Sequence, residues 1–145
     1  MDISVVIPFL NERENLKPLI DELESSLDPL VQQGKDYELL FIDDGSSDDG
    51  LAVLKKQHDR NPRIKVVEFR RNFGQTAAMA AGLDHSEGDV VITMDADRQN
   101  DPADIPQLLD KLDEGFDLVC GWRRDRKDTY WSRRLPSMLA NKLIS

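Results

Sequence analysis

Two hydrophobic rhythms alternate along the chain. Short runs that are apolar at nearly every position, "ISVVIPF" (3–9), "YELLFIDDG" (37–45), "IKVVEF" (64–69), "DVVITMDA" (89–96) and "DLVCGW" (117–122), read as strands buried on both faces. Between them stand segments with helical spacing. In "NERENLKPLIDELESSL" (11–27), Leu16, Leu19, Ile20, Leu23 and Leu27 recur at 3.6-residue intervals and predict an amphipathic helix. "SSDDGLAVLKKQHDR" (46–60) opens on a Ser or Asp cap, "GQTAAMAAGLDHS" (74–86) is Ala-rich, and "PADIPQLLDKLDEG" (102–115) begins with proline and ends on Gly115. Strictly alternating strands and helices predict an α/β fold: a mostly parallel, Rossmann-like sheet with helices on both faces.

In such sheets, ligands bind beyond the carboxyl ends of the strands. Pro8, Asn11 and Glu12, the pair Asp43-Asp44, Arg71-Asn72, and Asp95 with Asp97 all fall just past apolar runs. Four separate segments are therefore expected to put polar groups on one rim.

Composition narrows the function. A chain of 145 residues with 39% hydrophobic content supports one domain with a real core. The net charge of −9 argues against a general nucleic-acid binder. That charge is uneven: residues 122–145 hold seven Lys or Arg against two Asp, while residues 1–121 are strongly acidic. The division expected is a ligand-binding domain over 1–121 and a basic amphipathic tail over 122–145. After Pro136, Met138, Leu139, Leu143 and Ile144 sit at helix-like spacing among cationic and aromatic residues, the pattern of a helix lying in a membrane interface. A single cysteine, Cys120, excludes an intrachain disulfide, reads as a small core residue, and fits a reducing compartment. His58 and His85 read as surface residues. The opening "MDISVVIPFLNERE" does not read as a signal peptide, and no run approaches the roughly 20 apolar residues of a membrane span.

The rim carries the chemistry. Asp95 and Asp97, one residue apart at the end of a buried strand, repel each other unless a cation is held between them. Hard carboxylate oxygens select Mg²⁺ or Mn²⁺, and Gln99 offers a further neutral oxygen to the same ion. No Cys or His stands at zinc-like spacing. Mg²⁺ sites this sparse are completed by water and substrate phosphate, which implies a phosphorylated substrate. At least one of Asp43 and Asp44 is expected to accept hydrogen bonds from a base or ribose, while Ser46 to Asp49 form a turn and helix cap. Arg70, Arg71 and Asn72, just before the glycine that opens a helix, suit a phosphate.

Together "VVIPFLNERENL", "FIDDGSSDDG", "RRNFGQTAAMAAGL", "GDVVITMDADRQNDP" and "GWRRDRKD" resemble family 2 inverting glycosyltransferases of the GT-A fold, in the polyprenyl-phosphate branch. The resemblance spans nearly the whole chain. It implies an enzyme that transfers a hexose, with inversion, from a UDP-glucose or GDP-mannose type donor to a polyprenyl phosphate at the inner face of the membrane. It implies catalytic roles for Asp95 and Asp97, with Mg²⁺ or Mn²⁺ bridging the donor diphosphate there and Gln99 assisting. Pro8, Asn11 and Glu12 match the segment bordering the nucleoside, Asp43 and Asp44 the pair at base and ribose, Asn72 and Gly74 the loop near the donor, and Asp95-Ala96-Asp97 the diphosphate turn. Arg98 stands where relatives often have Leu, facing either phosphate or solvent. Members of this branch continue with an acceptor-binding half and often transmembrane helices. The chain is therefore expected to be the donor-binding part of a longer protein, with any general base beyond residue 145. A homo-oligomer is left open.

Two other classes compete. A phosphoacceptor signalling domain also places acidic residues and Mg²⁺ after strands, but it needs a Lys after the fifth strand, where this chain has Gly121-Trp122. A nucleotide-binding scaffold without catalysis would share the donor site and lack turnover.

Overall fold

In the computed structural model, residues 1–115 are described in full, and two further stretches, 118–121 and 138–142, as backbone strands. Six strands form one sheet in the order β3-β2-β1-β4-β6-β5. They are β1 (Ile3–Phe9), β2 (Tyr37–Asp43), β3 (Ile64–Glu68), β4 (Val90–Met94), β5 (Leu118–Gly121) and β6 (Met138–Lys142). The four from β3 to β4 run parallel, and β6 is antiparallel to both of its neighbours. The helices are α1 (Arg13–Gln32), α2 (Gly50–Arg60), α3 (Gln75–His85) and α4 (Ile105–Asp113), the last preceded by a single 3₁₀ turn over Pro102–Asp104.

Alternate residues of each parallel strand enter two different cores. Val5, Ile7, Phe9, Leu39, Phe41 and Ile92 join the apolar faces of α1, α2 and α4. Val6, Leu40, Ile42 and Val91 meet α3 on the other side. Burial on both faces is why these strands are apolar throughout. Layer α3 is thin because its contact residues are small. A Cβ on Gly82 would lie 2.2 Å from Val6 Cγ1, so only glycine lets the helix sit this close to β1. On the opposite face, Leu16, Leu19, Ile20, Leu23 and Leu27 of α1 are fully buried, each contributing about 1.5–3 kcal/mol.

Two elements depart from the pattern-based reading. Helix α1 runs on to Gln32, through Pro29 and past the 11–27 segment read from the spacing, because Leu30 and Val31 keep its apolar face on the core. The segment 138–142 is a strand, not the helix expected after Pro136. It lies between β4 and β5 and is paired along both edges. A short apolar run cannot announce its period, and two open strand edges decide the matter here. The sheet thus draws on residues from both sides of position 121. The rest of the basic segment proposed as interfacial, 122–137 and 143–145, lies outside the described residues, as does the side chain of Cys120.

Candidate active site

All four parallel strands end on the same side of the sheet, and there a cleft of about 610 Å³ opens, within the usual range for a small-molecule site. Each strand end contributes through a different local device.

Strand β1 ends at Phe9. Leu10 follows, 41% exposed at the cleft, then Asn11 in the left-handed region with φ 54°, a conformation Asn tolerates. Beyond β2, Asp43 and Asp44 are both buried, and each is satisfied by backbone N–H groups. Asp43 Oδ1 accepts from Ser46 N at 2.8 Å, closing a turn. Asp44 Oδ1 accepts from Phe73 N at 2.8 Å, and both its oxygens accept from Gly74 N at 3.2 Å. Asp44 therefore fastens the loop after β3 while facing the cleft. Gly45, which follows Asp44, has φ 80°, and a Cβ there would lie 2.4 Å from the Arg71 carbonyl carbon.

Beyond β4, the D-x-D turn is held from beneath and from its flank. Asp95 N donates to Oδ1 of buried Asn100 at 2.9 Å, and Gln75 Nε2 donates to Asp95 Oδ1 at 3.4 Å. Asp97 Oδ1 accepts from Gln99 N at 3.1 Å. Arg98 takes φ 64° and pairs with Glu22 on α1. Asp101 caps the 3₁₀ turn through Ala103 N.

Of the residues anticipated from sequence, Pro8, Glu12, Asp44, Asn72, Gly74, Asp95, Ala96 and Asp97 all line the cleft. Asn11, Asp43 and Gln99 do not. Asn11 and Asp43 bond to the turn after β2, and Gln99 is exposed. Arg98, which had been weighed as a phosphate contact, meets a carboxylate of α1 instead. Sequence reasoning passed over Gln75, Met79 and Thr93. Two signals were available. Gln75 and Met79 are four apart on one face of α3. Thr93 is the one polar residue of β4 and shares its side of the strand with Val91, toward α3.

The cleft's electrostatics are one-sided. Glu12, Asp44, Asp95 and Asp97 line it, and no Lys or Arg does among the described residues. Nor do three or more His, Cys, Asp or Glu side chains gather in a metal-holding cluster there. Asp95 and Asp97 are the residues that could hold an Mg²⁺ or Mn²⁺ ion, since both line the cleft and offer the hard oxygen donors such ions take. A zinc site usually draws on nitrogen or sulfur ligands, and no His or Cys lines the cleft among the described residues.

The sequence and the fold have counterparts. The chain is 41% identical over 146 residues to the dodecaprenyl-phosphate galacturonate synthase of Rhizobium johnstonii, covering 99% of this chain and 42% of that protein. It is 45% identical over 143 residues to the undecaprenyl-phosphate 4-deoxy-4-formamido-L-arabinose transferase of Enterobacter sp. strain 638, covering 98% and 42%. Among solved structures, the mannosyltransferase PcManGT from Pyrobaculum calidifontis, in complex with GDP-Man and Mn²⁺, superposes with a TM-score of 0.78 at 18% identity, over 97% of this chain and 44% of that one. The likeness to that structure speaks for the GT-A fold alone. The chain spans less than half the length of these relatives. The model of glycosyl transferase family 2 matches residues 4–144, and with it the chain belongs to that family.

Proposed function

We propose that this domain binds a nucleotide-sugar donor through a divalent cation and that the protein transfers the sugar, with inversion, to a polyprenyl phosphate at the inner face of the membrane. One observation carries the donor half: a cleft lined by four carboxylates and no Lys or Arg among the described residues. A diphosphate placed beside these carboxylates is repelled by them, and a cation between the two relieves that repulsion. The relatives' names, polyprenyl-phosphate sugar transferases, support the acceptor half.

Asp95 and Asp97 would hold Mg²⁺ or Mn²⁺, which when bound supplies the charge neutralisation that lets the nucleoside diphosphate leave. Everything else falls to the chain. Asp44 and Glu12 border the nucleoside end. Asn72 and Gly74 approach the diphosphate from the loop that Asp44 fastens. Gln75, which donates to Asp95 Oδ1, would help to fix that carboxylate. The acceptor phosphate oxygen attacks the anomeric carbon from the face opposite the leaving oxygen, so one C–O bond forms as the other breaks. That nucleophile is already anionic near neutral pH and asks little of a general base. Among the described residues no helix is long and apolar enough to cross a membrane.

The test is a thermal-shift panel of UDP and GDP with Mn²⁺ or with EDTA. One nucleotide should raise the Tm only when Mn²⁺ is present. Asp97→Ala should abolish that rise while leaving the ligand-free Tm within a degree or two. Equal stabilisation in EDTA would remove the cation from the site and the proposal with it.

A further inference from the structure

The turn after β1 and the turn after β2 each complete the other. Asn11 Oδ1 accepts from Ser47 N at 2.8 Å, Ser47 Oγ at 3.2 Å and Asp48 N at 3.3 Å. In the other direction, Asn11 N donates to Ser46 Oγ at 2.9 Å and Arg13 N to Asp48 Oδ2 at 3.2 Å. Asp48 Oδ1 also accepts from Gly50 N at 3.0 Å. Neither α1 nor α2 receives a side-chain bond from its own N-cap residue, Glu12 or Asp49. A single carboxylate, Asp48, instead serves the first residue of both helices. The left-handed backbone at Asn11 allows this exchange, and Asn and Gly are the residues that adopt it at low cost.

These bonds lie next to the residues that face the ligand. Glu12 follows Asn11 directly and lines the cleft, and Asp44 opens the turn that Asn11 grips. We infer that Asn11 is a positioning residue: its amide oxygen locks the turn after β2 to the turn after β1 and so fixes Glu12 and Asp44 relative to each other, without itself touching the donor. This departs from the direct nucleoside contact that the motif resemblance implies for position 11. The ligand arm of the test rests on the donor reading above; the exchange arm does not.

Two variants separate the roles. Asn11→Asp keeps an oxygen acceptor and tolerates the left-handed backbone, but loses the Nδ2 donor. Asn11→Gly keeps the backbone and loses the acceptor. Hydrogen exchange of the Ser47 and Asp48 amides, read by NMR, should quicken about tenfold in Asn11→Gly and stay within about threefold of wild type in Asn11→Asp. The Mn²⁺-dependent shift with UDP or GDP should shrink at least about fivefold in apparent affinity for Asn11→Gly and persist for Asn11→Asp. Unchanged exchange in Asn11→Gly overturns the lock. Loss of the nucleotide shift in Asn11→Asp with normal exchange overturns it too, by making Nδ2 a ligand contact. If wild type shows no shift with either nucleotide, the donor reading falls, and the exchange arm still decides the role of Asn11.

Discussion

Strand β2 carries a buried carboxylate at each end, and the two are satisfied differently. Glu38, at the amino end, is 0% exposed. It accepts from Ser4 Oγ at 2.5 Å, Glu87 N at 2.8 Å and Lys65 Nζ at 3.0 Å. Its charge is matched inside the chain. Asp44, just past the carboxyl end, is 5% exposed and accepts from two backbone N–H groups. No Lys or Arg pairs with it among the described residues. Burying a charge is costly unless it is paired. The fold meets that requirement completely at one end of the sheet. At the other, Asp44 is held by backbone N–H groups alone among the described residues and faces the cleft. One end is closed by charge pairing within the chain; the other opens on the cleft where the donor is proposed to bind.

Glu38→Ala should break the first end alone. It strands the buried Ser4 hydroxyl and the Glu87 N–H and leaves Lys65, 39% exposed, to water. Urea denaturation should show a loss of about 2–4 kcal/mol, with the Mn²⁺-dependent nucleotide shift intact. The pH dependence has a definite sign. Burial alone would raise the Glu38 pKa, but the bonds from Ser4, Glu87 N–H and Lys65 outweigh it and hold the group below its ordinary 4.5. A carboxyl lowered by folding stabilises the native state above its unfolded pKa and loses that contribution as pH falls through the folded value. The gap between wild type and Glu38→Gln should therefore be full at pH 6–7 and close below about pH 4.5. A gap that widens on acidification would contradict the pairing.

The second prediction strikes the open end through its backbone. Gly45→Ala must place a Cβ at φ 80° and 2.4 Å from the Arg71 carbonyl carbon. Neither can be relieved by a side-chain rotation, so the expected cost is about 2–3 kcal/mol, with loss of the nucleotide shift as the Asn72–Gly74 loop moves. Gly115→Ala is the control. Its φ is 108° but no described residue lies within 4 Å of the added methyl, which leaves about 1 kcal/mol from the backbone alone. Equal costs at the two positions would mean the close approach at Gly45 is relieved at little cost.

The two ends were also unequally legible. The placement of residues at the cleft end was readable because its signal is local: an apolar run that stops in Asp-x-Asp or Asp-Asp says where the strand ends and what stands there. The structural network at the other end was not. Ser4, Glu38, Lys65 and Glu87 are scattered along the sequence and become neighbours only when β1 and β2 pair with Ser4 opposite Glu38. A lone Glu inside "YELLFID" gives no hint of its partners. The same limit explains Asn11. Its motif marks it as important, but its bonds cross to Ser47 and Asp48, and no spacing rule predicts which turn a side chain will face. Strand β6 was misread for a related reason: what makes it a strand is the pair of edges offered by β4 and β5, which lie elsewhere in the chain.

The smallest expected effect tests whether the D-x-D turn belongs to the open end in its charge balance or only in its position. Arg98 is the cation next to Asp97, and its partner is Glu22 of α1. Both side chains are about two-fifths exposed, at 41% and 38%, so the pair is worth about 0.2–0.5 kcal/mol in a double-mutant cycle and less at high salt. Arg98→Ala should cost about that much. Arg98→Gly also removes the pair but relieves the left-handed backbone at φ 64°, and should match or slightly exceed wild-type stability. Neither change should alter the Mn²⁺-dependent nucleotide shift, because the guanidinium is engaged with α1 rather than the cleft. A marked fall in nucleotide affinity for both variants would bring Arg98 back to the diphosphate. The cleft would then carry a cation of its own, and the contrast with Glu38 would weaken.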